Sequence, residues 1–103
     1  MGTVTPKPYG NFQTGEISGS ATAKNLPDIV CEMVQFTAVE SNAGNVYLGG
    51  TSGVTKVDTT QDATTGQELA PKAQTPWIPC KSVNQFWIIC DNAGDDLTYL
   101  AVS

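Results

Sequence analysis

Asn84-Gln85-Phe86-Trp87-Ile88-Ile89-Cys90, then Asp91-Asn92-Ala93-Gly94-Asp95-Asp96, then Leu97-Thr98-Tyr99-Leu100-Ala101-Val102, is the stretch that decides the fold. The first seven residues are rich in β-branched and aromatic side chains, which suit a pleated, half-buried surface. Successive side chains of an extended chain point to opposite sides. Phe86, Ile88 and Cys90 therefore share one face, and Trp87 and Ile89 the other. Both faces are apolar, so both must be covered. The Asp, Asn and Gly cluster is turn chemistry, and Leu97 to Val102 is a closing strand. The spacing predicts a hairpin between the two strands.

Working outward, Thr75-Pro76-Trp77-Ile78-Pro79-Cys80 carries two prolines that cannot donate to a ladder, which places it at a sheet edge. Asp58 to Gly66 is a polar excursion that reads as an exposed loop. Gly53 to Val57 and Val46-Tyr47-Leu48 read as brief strands, and Ser41 to Asn45 as a turn. Before that turn, Glu32, Gln35, Thr37 and Glu40 interrupt an Ile, Val, Met and Phe run without one clean period. This predicts a strand over Asp28 to Glu40 with a bulge or bend midway. Ile29, Met33, Phe36 and Glu40 also fit helical spacing, but the composition favours strand. Paired with Val46 to Leu48, it makes a second predicted hairpin. The sum is an all-β chain, a small antiparallel β-sandwich or barrel of about six to eight strands.

That domain is expected over residues 26–103, preceded by an extended N-terminal arm over residues 1–25. The arm is rich in Gly, Thr, Ser and Pro, with only Val4, Tyr9, Phe12 and Ile17 as anchors. Such a segment does not offset its ordering entropy alone. It reads as a solvated tail or as an arm ordered against a neighbouring subunit, and Tyr9 and Phe12 favour the arm. Trp77 and Trp87 are further interface candidates, because aromatic residues are enriched at subunit contacts. The expected interface residues are thus Tyr9, Phe12, Ile17, Trp77 and Trp87.

The chain has 103 residues, ten acidic side chains, five lysines, no arginine and no histidine, for a net charge of −5. A domain of this size buries only about 65 % of its unfolded surface, so partners are a natural source of extra stability. The charge argues against a nucleic-acid binder, which neutralises phosphates with Lys and Arg. Lack of histidine removes the ordinary general base near neutral pH and the commonest metal ligand. Lack of arginine removes the bidentate clamp for phosphate or carboxylate. The expectation is a non-enzymatic binding or structural protein with no cofactor and no metal.

Cys31, Cys80 and Cys90 each sit in an apolar run without CxxC spacing, and read first as buried free thiols suited to a reducing cytosol. One disulfide with a leftover thiol is the alternative. The N-terminal residues lack the apolar core of a secretory signal, Pro6 breaks the myristoylation pattern, and no apolar run reaches the roughly 20 residues that span a bilayer. A soluble protein without membrane partners is expected.

Three constellations invite sharper readings. Gly49-Gly50-Thr51-Ser52-Gly53 looks like a phosphate loop, but strand rather than helix follows it, so a tight turn is expected. Asp91, Asn92, Asp95 and Asp96 have calcium-ligand chemistry but miss the alternate spacing and distant Glu of an EF-hand. Glu32, Glu40 and Glu68 form no recognisable catalytic pair.

From Leu26 onward the chain resembles a small β-sandwich structural module of tailed-bacteriophage virions. The likeness rests on Cys31-Glu32-Met33-Val34-Gln35-Phe36-Thr37-Ala38, Asn42-Ala43-Gly44-Asn45-Val46-Tyr47-Leu48-Gly49-Gly50 and Gly53-Val54-Thr55. It continues through Gly66-Gln67-Glu68-Leu69-Ala70-Pro71-Lys72, Phe86-Trp87-Ile88-Ile89 and Leu97-Thr98-Tyr99-Leu100-Ala101. Lys72 stands where that module commonly has Gly. The resemblance implies a capsid decoration (cement) protein, or a head-fibre, head–tail or tail accessory protein. It would be located in the virion after assembly in the host cytoplasm. Its implied partners are the major capsid protein or neighbouring virion subunits, with a homo-oligomer, a trimer in the first instance, as the assembly. No catalytic residue is implied. The competing class is a surface-displayed carbohydrate- or receptor-binding module using an exposed Trp or Tyr and the Asp58–Gly66 loop.

Overall fold

A computed structural model describes residues 11–103. Their elements in chain order are β1 (Phe12–Ile17), β2 (Lys24–Asn25), β3 (Met33–Ala38), β4 (Val46–Gly49), β5 (Gln67–Leu69), β6 (Ile78–Pro79), a 3-10 turn (Val83–Gln85), β7 (Trp87–Cys90) and β8 (Leu97–Val102). The strands form two antiparallel four-stranded sheets of order β1-β8-β3-β6 and β2-β7-β4-β5. Their inner faces meet in one core, and the fold is a small β-sandwich.

Strict alternation builds that core. In β3, Val34, Phe36 and Ala38 are buried between half-buried neighbours, and in β8 Leu97, Tyr99 and Ala101 are buried in the same rhythm. The opposite sheet contributes Val46, Leu48, Leu69, Ile88 and Cys90. Ser82 caps the 3-10 turn in a capping box with Gln85, which sets the path of the chain into β7. The Phe86 ring meets Phe36 edge-on, with centroids 5.2 Å apart and planes at 72°. In β7, Ile88 and Cys90 face the core, while Trp87 and Ile89 are half-buried on the outer side.

Part of that outer side is covered by the chain's own loop. Val54 is buried against Gly49 and Gly66, at both of which a Cβ would strike its side chain. The brief strand expected over Gly53 to Val57 is reduced to a single bridge between Thr55 and Thr65. The prolines keep their expected effect: β6 is two residues long and lies at the edge of the first sheet.

The predicted strand over Asp28 to Glu40 is regular only from Met33. Val30 makes an isolated bridge to Ser82, so the irregularity falls at Cys31 and Glu32, where the polar period breaks. Neither predicted hairpin forms. β3 and β4 lie in different sheets, as do β7 and β8, and the pairs are instead β3 with β8 and β4 with β7. Residues 39–45 and 91–96 are therefore arches that cross from one sheet to the other, stacked on each other. The arm expected over residues 1–25 is also corrected for its second half. β1 pairs with β8 along its whole length, Phe12 opposite Val102 to Ile17 opposite Leu97, and β2 pairs with β7. Ile17, opposite Leu97, is 5 % exposed and belongs to the core. Burial of one apolar anchor plus a six-residue ladder holds the segment to its own domain.

Candidate functional site

The five expected interface residues do not form one patch. Tyr9 lies outside the described residues. Ile17 is core, which corrects its assignment. Phe12 is 72 % exposed at the edge strand β1. Trp77 is 40 % exposed and precedes β6, at the opposite edge of the same sheet. Trp87 lies in the other sheet, opposite Gly49 and Asn25.

What the register does assemble is the outer face of the first sheet. Phe12, Val102, Met33 and Pro79 are consecutive cross-strand partners and form an apolar row across all four strands. The next outward row is Thr14, Leu100 and Gln35, and the one after it Glu16, Thr98 and Thr37. The face thus grades from apolar to hydroxyl and amide, and its two central strands place no charged side chain on it. Gln74 Nε2 donates to Thr37 Oγ1 (3.1 Å) and Gln35 Nε2 to the Thr75 carbonyl (3.1 Å), so the amides are held in place. Between them runs a groove of about 400 Å³ lined by Thr14, Gln35, Thr37, Gln74, Thr98 and Leu100. Leu100, Val102 and Met33 were not singled out from the sequence. Their alternation with Tyr99, Ala101 and Val34 marks them as outward once the inner face is known.

The aspartate and asparagine cluster has a different role. Asp95 is 1 % exposed. Its Oδ1 accepts from the Ala43 and Gly44 amides (3.0 and 3.1 Å), and its Oδ2 from the Asn92 amide and Nδ2 (3.0 and 3.1 Å). Asn42 exchanges two bonds with the Asp96 backbone (2.8 and 2.7 Å), and Asp91 accepts from the Asn45 amide (2.9 Å). These side chains satisfy the amides that an arch leaves without ladder partners. The lone pairs a cation would need at Asp95 are taken by N–H donors.

The remaining constellations also resolve into local structure. At Gly49 to Gly53 the Thr51 hydroxyl accepts from the Gly53 amide (3.2 Å) and its carbonyl from Val54 (3.1 Å), a tight turn. Glu40 is ion-paired to Lys72 at 3.2 Å, both exposed. Glu68 accepts from Asn45 Nδ2 (2.9 Å) and from the Tyr47 hydroxyl (3.5 Å). Burial is the main cause that pushes the Tyr47 phenol above its ordinary value. Tyr47 and Tyr99 are both buried, so neither offers a ring for sugar stacking. The Asp58–Gly66 loop is mostly exposed; the Thr60 amide donates to Asp58 Oδ1 (2.7 Å), and the loop's end is tied to Thr55 through the Thr64 carbonyl and the Gly66 amide (3.0 and 2.8 Å).

All three thiols are free. Cys31 and Cys90 are buried and Cys80 is half-buried. Cys31 and Cys80 face each other with their sulfurs 3.0 Å apart. Burial, reinforced by the Cys31 thiol, pushes the Cys80 thiol up to about 12. Burial likewise raises Cys90.

No protein-family model, no curated protein and no solved structure matches this chain.

Proposed function

We propose that this protein is a non-enzymatic structural subunit of a virion, of the capsid-decoration type, and that it docks through the outer face of its first sheet. The observation that carries the reading is the apolar row of Phe12, Val102, Met33 and Pro79 running into the uncharged Leu100, Gln35, Thr98 and Thr37 surface. An acidic protein of net charge −5 repels most acidic surfaces, and the two central strands of this face, which carry no charged side chain, are where it approaches a neighbour with the smallest charge penalty. An apolar strip adjoining hydroxyls and amides is a composition found at protein interfaces. The virion assignment itself rests on the sequence resemblance. Its partners are the major capsid protein or neighbouring virion subunits, with a trimer as the expected self-assembly.

The test is quantitative mass spectrometry of particles purified from cells that produce the protein. Wild-type chain is expected in the particles at a lattice-like copy number, and the Leu100→Asp variant is expected to remain in the soluble fraction. Far-ultraviolet circular dichroism verifies that the variant is folded. Absence of the wild-type chain from particles, together with specific binding on a glycan array, would transfer the reading to a carbohydrate-binding module.

A further inference from the structure

We infer that Cys31 and Cys80 form a disulfide site, closing to an intramolecular bond in the folded protein when a small disulfide oxidant such as oxidised glutathione reaches them. Their sulfurs stand 3.0 Å apart, about 1 Å beyond the length of the bond. The backbone on either side is already clamped: the Cys31 amide donates to the Lys81 carbonyl (3.1 Å) and the Cys80 amide to the Glu32 carbonyl (3.0 Å). Closing the gap therefore asks for side-chain rotation rather than strand movement. Cys90 stays out of the reaction. It is fully buried in the opposite sheet, beside the Gly19 backbone.

The chemistry balances as two exchanges. The Cys80 thiolate attacks one sulfur of oxidised glutathione, forming a mixed disulfide and releasing one glutathione thiolate. The Cys31 thiolate then attacks the Cys80 sulfur and releases the second. Two thiols lose two electrons and two protons in all, and one glutathione disulfide becomes two glutathione thiols. Cys80 is the entry point because it is the more exposed of the pair. Its high pKa keeps the thiolate scarce, so closure is slow at neutral pH and quickens as pH rises.

The bond ties the two-residue edge strand β6 to the chain that enters β3. The cysteines are 49 positions apart, so the link removes freedom from a long loop of the unfolded chain. A protein assembled in a reducing cytosol gains this lock on release to an oxidising exterior. The inference stands on the thiol geometry and does not depend on the virion reading.

The experiment incubates the folded full chain with oxidised glutathione at pH 8.5, then unfolds it in an alkylating agent and maps the thiols by mass. Expected are loss of two hydrogens, a Cys31–Cys80 linked peptide, alkylation at Cys90 alone, and a thermal midpoint raised by about 10 °C that dithiothreitol reverses. Cys80→Ser is expected to lose the shift and Cys90→Ala to keep it. Mapping the wild-type chain decides the matter even if a variant fails to fold. Alkylation of all three cysteines, a bond to Cys90, a persistent glutathione adduct, or a bond that does not raise the midpoint would each overturn the proposal.

Discussion

Gly19 runs its backbone directly against the carbonyl oxygen of Asp95. A Cβ built on the glycine overlaps that oxygen and comes within 3.0 Å of the Cys90 sulfur. The Gly19 amide also donates to Asp96 Oδ1 at 3.1 Å, and the Cys90 amide to the Ser20 carbonyl at 2.8 Å. The segment between β1 and β2 is thus pressed onto the 91–96 arch with no room for a side chain. Gly19→Ala is expected to cost about 3 kcal/mol, at the upper end of overpacking because the obstacle is backbone. Gly50→Ala, where a Cβ meets nothing within 4 Å, is expected to stay within about 0.5 kcal/mol. Urea denaturation of the two variants makes the comparison.

Asp95 is the keystone of the two arches. Removing its carboxylate takes the acceptor from four part-buried N–H donors, of Ala43, Gly44 and Asn92 (amide and side chain). Asp95→Ala is expected to lose about 3 kcal/mol, since four part-buried donors lose a charged acceptor at once. Asp95→Asn keeps one acceptor oxygen and is expected to lose about half as much. Amide hydrogen exchange supplies a local readout: protection at Ala43 and Gly44 falls in both variants, before that of β3.

The positions of the three strands β3, β7 and β8 were legible in the sequence, whereas β1, β2 and the strand pairing were not. Met33–Ala38, Trp87–Cys90 and Leu97–Val102 fall where β-branched and aromatic residues concentrate. The connections misled because Asn42-Ala43-Gly44-Asn45 and Asp91-Asn92-Ala93-Gly94 carry the same residue types whether a chain reverses in a hairpin or crosses to a second sheet. What separates the cases is the burial of Asn42 and Asp95, a tertiary fact. Ile17 failed for a related reason. An isolated apolar residue in a Gly- and Thr-rich segment reads as an anchor for a partner until its register opposite Leu97 is known. Phe12, read as an interface candidate, is exposed, whereas the row it joins depends on which face of β8 points inward.

Lys72 is the one non-glycine residue with positive φ (75°) among the described residues. It follows Pro71 in a turn closed by the Ala73 amide donating to the Ala70 carbonyl at 2.8 Å. Pro followed by a left-handed residue is the type II arrangement, which favours Gly at that third position. The lysine therefore keeps a glycine turn at a conformational cost of about 1 kcal/mol. Its exposed ion pair with Glu40 returns little, because both side chains are solvated. Lys72→Gly is expected to be more stable than Lys72→Ala by about 1 kcal/mol, since both lose the ion pair and only one loses the strain. Equal stability of the two variants in urea would contradict the strained-turn assignment.

Glu16 and Asp96 supply a pH-dependent contact between β1 and the 91–96 arch. A hydrogen bond with Asp96, then its negative charge, hold the Glu16 carboxyl above the usual 4.5. A carboxyl with a raised folded-state pKa binds its proton more tightly folded than unfolded. Its stabilising effect is complete below the unfolded value and is lost as pH rises through the raised one. Above that window the two ionised carboxylates repel. Glu16→Gln keeps a hydrogen-bond donor toward Asp96 at every pH and cannot ionise. The difference in urea midpoint, variant minus wild type, is therefore expected to grow in favour of the Glu16→Gln variant from pH 4 to pH 7. Glu16 is exposed, so the difference is expected to shrink in high salt, which separates this charge repulsion from a packing effect. A difference that is constant across pH would remove the Glu16–Asp96 contact as its source.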